Sequence, residues 1–202
     1  MLYHYNRPLN QNFRSPRVAQ YYQWRSFSES TEDVYGKVEA AFKHVDTEIR
    51  NDKYFLIAGR SKVVPRLVND EYFEVLSLVD DAGPVELWEQ SVKTEFPMRR
   101  SLAAMISAKI PKFHGACSSV ATPETLTDAL SRKSKYFEAK KTVKLFENGV
   151  VRAEISEVEI DGVKQMSLAL QCDEAGPLID TLKQLGLKAA DNTNYGDYLL
   201  VA

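Results

Sequence analysis

The chain has 202 residues and a mass of 22.9 kDa, with 44 % hydrophobic and 27 % charged residues, a composition that fits a globular domain with a sizeable core and excludes collagen, coiled coil and wholesale disorder. Lys plus Arg number 26 against 28 Asp plus Glu, so the formal charge of −2 supplies no global field for nucleic acid or an anionic membrane, and any anion site must be local. Two cysteines, and three histidines without ligand spacing, exclude a disulfide framework and a structural zinc site.

No apolar run reaches the roughly 18 residues of a membrane span, and the N-terminus lacks the charged and apolar regions of a signal peptide. A reduced, cytoplasmic protein is expected. Residues 1–17, interrupted by Pro8 and Pro16 and without periodicity, read as an extended segment ahead of a single domain over 18–202. From Val18 to Phe27 the aromatic content predicts a strand, with Tyr21, Gln23 and Arg25 on one face and Tyr22 and Trp24 on the other. Val34, Val38, Ala41, Phe42 and Val45 then form a helical stripe, predicting a helix of about 15 residues.

Strands follow over 52–58, 61–67, 71–79 and 85–93, separated by hairpin-length turns that make them antiparallel neighbours. Ser101–Ile110 predicts a short helix stopped by Pro111, and Thr122-Pro123-Glu124 opens another that runs to about Arg132. The last third repeats the strand pattern over 135–146, 150–160 and 163–171, with hairpin turns at Asn148-Gly149 and Asp161-Gly162. A helix over 176–185 ends at Gly186, and Tyr195–Val201 supplies a closing segment. These elements give an α+β fold, an antiparallel, closed or nearly closed β-barrel with peripheral helices, closure removing the exposed strand edges.

Each of the late strands has a polar side. Glu138, Lys140, Thr142 and Lys144 are in phase, with Lys141 intruding on the apolar face; Arg152, Glu154 and Ser156 share a face, as do Gln165, Ser167 and Gln171. Such faces suit either a wet outer surface or a charged interior. Trp24 and Trp88 read as packing between barrel and helix. His114 and Cys117 lie in an apparent loop with no orienting carboxylate, which argues against a nucleophile.

The order of segments resembles the CYTH superfamily, the triphosphate tunnel metalloenzymes. The resemblance rests on Tyr22-Gln23-Trp24-Arg25, Arg50 with the strand DKYFLI, the basic RSKVVPR segment, Val85-Glu86-Leu87-Trp88 followed by Lys93 and Phe96-Pro97-Met98, Lys140-Lys141, Arg152-Ala153-Glu154, EVEIDGV (Glu157 to Val163) and Asn192 to Tyr195. It covers about residues 18–201 and implies an eight-stranded barrel around a tunnel, whose basic residues grip a triphosphate and whose carboxylates hold Mg²⁺ or Mn²⁺. Carried over, the substrate-binding residues are Arg25, Arg50, Lys62, Lys93, Lys140 and Arg152. The metal ligands are Glu86, Glu154 and Glu159, with Glu157 beside them, and Arg152 and Glu154 are the catalytic pair.

The sequence departs from that pattern. Gln23 stands where the resemblance implies a carboxylate, Lys62-Val63-Val64 displaces a basic residue to Arg66, Leu76 follows Glu74 where a lysine is implied, and Ala169 and Gln171 replace glutamates. The resemblance therefore implies a divergent member that binds triphosphate or another polyphosphate or nucleotide anion, with or without metal-dependent hydrolysis. The alternative is a non-catalytic anion-binding or protein-interaction barrel. Neither nucleic acid nor membrane is an expected partner.

Overall fold

The computed structural model describes residues 19–28, 32–81, 83–117 and 122–201; the extended segment expected over 1–17 lies outside them. The elements in chain order are β1 (Ala19–Ser28), α1 (Glu32–Ala41), β2 (Lys43–Leu56), β3 (Val63–Val68), β4 (Tyr72–Asp80), β5 (Glu86–Glu95), α2 (Arg100–Lys109), α3 (Pro123–Ser131), β6 (Lys135–Glu147), β7 (Arg152–Ile160), β8 (Val163–Cys172), α4 (Ala175–Leu185) and α5 (Tyr195–Val201). The eight strands close into an antiparallel barrel in the order β1-β5-β4-β3-β2-β6-β7-β8. The expected α+β barrel with peripheral helices is the observed one.

Asp161 and Gly162 are both left-handed and join Ile160 to Val163, the backbone that a two-residue primed turn needs to match strand twist. The expected Asn148-Gly149 turn is wider: only Gly149 is left-handed, and the connection from Glu147 to Arg152 takes four residues. Asn69 and Asp70 are left-handed within the three-residue connection from Val68 to Tyr72. Thr122 caps α3 reciprocally with Thr125, and left-handed Gly186 stops α4.

Two elements differ from expectation. The helix expected to reach Val45 ends at Ala41, and Val45 lies in β2, which pairs with β6 from Lys43↔Glu147 to Leu56↔Lys135. A helix reaching Val45 would strip β6 of the pairs Lys43↔Glu147 and His44↔Phe146, so long-range pairing overrides the local 3.6-residue stripe. The closing segment 195–201 is helical and packs its buried Tyr195 and Leu199 against inward residues of the barrel, including Tyr54, Val64, Trp88 and Val158. Both tryptophans pack between barrel and helix as expected, but on opposite faces: Trp88 meets α5 from the inward face, which it shares with Glu86 two residues away, whereas Trp24 packs outward under α1 and α4, its indole N–H donating to the Lys188 carbonyl.

Two apolar layers clasp the barrel from outside. Trp24, Phe146, Ala153, Ile155, Leu168 and Leu170 pack against α1 and α4, and Phe55, Leu67, Phe73, Val75 and Val92 against α2 and α3. Cys117 is buried in the second layer, where burial pushes its thiol up to about 11, a packing sulfur and not a nucleophile. Along β5 the alternation of faces is broken once: Leu76 pairs with Gln90 while the adjacent Val75 pairs with Val92, so Ser91 is the extra residue of a bulge.

No helix among the described residues is long and apolar enough to cross a membrane. The docking of α5 is close: a Cβ on Gly196 would stand 2.1 Å from the Ser61 carbonyl oxygen. Gly196→Ala is expected to push α5 off the barrel and cost about 1–3 kcal/mol as an overpacking change, read as a lower midpoint in urea unfolding. An unchanged midpoint would show that α5 contributes nothing to the barrel's stability.

Candidate functional site

Residues directly opposite in a β-ladder share a face, so the registers define the barrel interior. Tyr21, Gln23 and Arg25 of β1, Glu48, Arg50, Asp52 and Tyr54 of β2, Arg66 of β3, Glu74 of β4 and Gln90 of β5 lie on it. Lys141 of β6, Glu154 and Ser156 of β7, and Ser167 and Gln171 of β8 complete it. The interior polar residues thus come from all eight strands.

Asp52 is the hub. It has no solvent exposure, and its Oδ2 lies 2.6 Å from Lys141 Nζ and 3.5 Å from both Arg50 Nη2 and Arg66 Nη1. Arg66 Nε–H donates to Glu74 at 2.5 Å, and Gln90 donates to the other oxygen of Glu74. Glu154 accepts from Arg25 at 3.1 Å and from the Ser156 hydroxyl, with Arg50 at 3.7 Å. Lys141 also donates to the Tyr54 hydroxyl and lies 4.0 Å above the Tyr195 ring; Arg25 donates to the Ser167 hydroxyl and lies 4.7 Å above that ring. Four cations thus meet three carboxylates in one set of ion pairs, an excess of one positive charge within that set, with Glu48 half-buried next to Arg50 on the same face.

Burial alone would raise the pKa of Asp52 and Glu154, but the surrounding cations win. Lys141, Arg50 and Arg66 hold Asp52, and Arg25 and Arg50 hold Glu154, well below the usual carboxylate range. For Lys141, burial opposes the charge and Asp52 more than restores it, so its pKa is raised. Burial pushes the Tyr54 phenol up to about 12, so it stays neutral. Among the described residues, Arg50 Nε and the Tyr195 hydroxyl are buried donors without a hydrogen-bond partner, and Asp52 Oδ1 is a buried acceptor without one. A cavity of about 50 Å³ borders this cluster, lined among others by Tyr21, Gln23, Arg25, Arg66, Glu154 and Tyr195.

The residues expected from the sequence divide into three groups. Arg25, Arg50 and Glu154 converge in the cluster. Arg152 and Lys93 stand at its margin: Arg152 is 45 % exposed with Asp173 at 3.9 Å, and Lys93 is exposed above the Tyr72 ring. The rest lie apart. Lys62 is exposed beside Asp81 ahead of β3, and Lys140 is exposed on the outer face, in register with Glu159, which also faces Lys164 from outside. Glu157 is likewise exposed and paired to Lys164.

Lys140 is corrected to Lys141 by strand parity: burying the face of Lys140 would bury Lys144 as well and leave Asp52 without its nearest cation. The polar faces of β7 and β8 point in as the charged-interior reading requires, while that of β6 points out. Sequence reasoning missed Asp52, Arg66 as an interior residue, Glu74 and Lys141. The available signals were the in-phase series Glu48, Arg50, Asp52, Tyr54 and the single charge on the apolar face of β6.

The expected metal set does not assemble. Glu86 accepts from Asn194 and from the Trp88 indole at the α5 end, Glu154 is held by arginines, and Glu159 is outside. Among the described residues no three His, Cys, Asp or Glu side chains converge to hold an ion. The donors present do not fit Mg²⁺ or Mn²⁺.

No protein-family model and no curated protein matches the sequence. Among solved structures, the PH1012 protein of Pyrococcus horikoshii superposes with a TM-score of 0.54 at 17 % identity, covering 85 % of this chain and 94 % of that one. A conserved hypothetical protein of Pyrococcus furiosus does so at 0.53 and 16 %, covering 86 % and 98 %. What the chain shares with them is the fold, here a closed eight-stranded antiparallel barrel. At these identities the likeness is one of architecture, and the chemistry of this barrel rests on its own residues.

The depressed carboxylates set an acid limit. Because the folded-state pKa values of Asp52 and Glu154 lie below their unfolded values of about 3.9 and 4.3, their contribution is complete above that range and is lost as pH falls through the folded values. Unfolding free energy measured in urea should therefore fall steeply below about pH 4. Asp52→Asn should flatten that fall and cost about 3–5 kcal/mol at neutral pH, since it leaves buried cations unmatched. A wild-type-like acid profile in the variant would remove Asp52 from the hub.

Proposed function

We propose that the protein binds a phosphate-bearing polyanion, inorganic triphosphate or a nucleoside triphosphate, in its barrel without hydrolysing it. One observation carries this reading: the buried cluster holds four cations against three carboxylates and keeps two donors, Arg50 Nε and the Tyr195 hydroxyl, unpaired. A buried donor without an acceptor is costly; Tyr195 borders the cavity together with Arg25 and Arg66, where a phosphoryl oxygen would satisfy its hydroxyl while offsetting the excess charge through charge-assisted hydrogen bonds.

The cavity of about 50 Å³ is well below the roughly 300 Å³ of a typical small-molecule site. It suits one terminal phosphoryl group, with the remainder of the chain extending past the rim cations Arg152 and Lys93. Arg25 would act as the interior grip, since its guanidinium lines the cavity, and the arginines would neutralise charge without a metal bridge. Hydrolysis is left out of the proposal because no metal-ligand cluster accompanies the cations among the described residues, and because Glu154, the expected catalytic carboxylate, is occupied by Arg25 and Arg50.

The test is thermal unfolding with phosphate, pyrophosphate, triphosphate and ATP. Triphosphate at 100 times its dissociation constant should add about 2.7 kcal/mol, and Arg25→Gln should abolish that gain. No shift with any of the four anions would end the anion-binding reading. Phosphate release from triphosphate above the blank, lost in Arg25→Gln, would show that the barrel is an enzyme after all.

A further inference from the structure

We infer that the barrel takes its polyphosphate as the free anion, so that Mg²⁺ competes with the protein for the ligand instead of bridging the two. This rests on the anion-binding reading above and adds the chemical form of the ligand. Mg²⁺ requires near-octahedral oxygen coordination, normally through one or two carboxylates together with water and phosphate. Inside this barrel each carboxylate of the cluster already has its cations: Asp52 is shared by Lys141, Arg50 and Arg66, Glu74 by Arg66 and Gln90, and Glu154 by Arg25 and Arg50.

At the seam of β1 and β8 the interior face carries amides. Gln171 Nε2 donates to Gln23 Oε1 at 3.1 Å, so this seam presents neutral amides, one of them engaging the other's oxygen, where two carboxylates would offer charged ligands. Asp46 and Glu48 share the inner face of β2 beyond Arg50, yet they too form no three-residue donor group among the described residues.

The unmatched groups point the same way. Two of the three buried unpaired atoms of the cluster, Arg50 Nε and the Tyr195 hydroxyl, are donors, which seek an anion. The one acceptor, Asp52 Oδ1, belongs to a carboxylate already surrounded by three cations. A polyphosphate that carries Mg²⁺ brings less negative charge to a cluster whose attraction depends on that charge, and it brings a cation among four others.

Calorimetric titration of the wild-type protein with inorganic triphosphate, in metal-free buffer and with Mg²⁺ in excess over the anion, tests this. Binding should weaken with Mg²⁺ by about tenfold or more, equivalent to about 1.4 kcal/mol. Equal or tighter binding with Mg²⁺ overturns the inference and leaves the anion-binding reading standing. Absence of binding in both buffers overturns that reading and the inference with it.

A second measurement uses Gln23→Glu/Gln171→Glu, which replaces the amide pair with two carboxylates at the same seam. In this variant Mg²⁺ should strengthen triphosphate binding. If Mg²⁺ weakens binding in the variant as it does in the wild type, the amide pair is not what excludes the ion, and that part of the inference falls.

Discussion

The buried carboxylate of Asp52, held by one lysine and two arginines, is the interaction on which the rest of this barrel depends. A charged lysine with no exposure is tolerable only beside a counter-ion, and the penalty of removing either partner exceeds the value of the pair itself. The arrangement draws β2, β3 and β6 together from inside: Asp52 and Arg50 come from β2, Arg66 from β3 and Lys141 from β6. Glu154 and Arg25 carry the network across to β7 and β1, and Glu74 carries it to β4. The sheet is therefore closed twice, by backbone ladders around its circumference and by ion pairs across its bore.

Such an interior is expensive, and its cost is met elsewhere in the fold. The apolar residues that an ordinary barrel would place inside are displaced outward into two layers under helices, α1 with α4 on one side and α2 with α3 on the other. At one end α5 supplies the missing apolar floor. Tyr195 mediates between the two regimes. One ring meets the edge of Phe27 and stacks near Tyr54, while Lys141 and Arg25 sit over its faces, using the ring's negative π surface as a partial counter-charge.

The architecture was readable because it depends on local signals that point to one answer: paired turn residues, alternating faces and apolar stripes of helical period. The strand boundaries of β3 to β8 follow from them within a few residues. β2 was half hidden because its first three residues continue the helical stripe and the largely polar run 46–51 carries no strand signal of its own, so only pairing with β6 decides them. The interior was legible where charge and alternation agree, at Arg25, Arg50 and Glu154. It failed at Lys140 against Lys141, because a strand with charges on both faces does not reveal which face is inside; the neighbouring carboxylate does, and Asp52 lies far away in sequence. Glu86 and Glu159 failed for a related reason, since spacing along strands says nothing about depth within a barrel.

The bulge at Ser91 acts as a phase shifter. Upstream of it the even-numbered residues Glu86, Trp88 and Gln90 look inward; downstream Val92 looks outward and Lys93 inward. The serine hydroxyl ties the extra residue down, to the Val75 carbonyl and the Ser77 hydroxyl. Were the strand regular, Val92 would leave the layer under α2 for the charged bore, and Lys93 would turn away from Glu74. A single inserted residue thus lets one strand serve an amphipathic programme in two halves, its first half building the floor and its second half placing a cation at the rim.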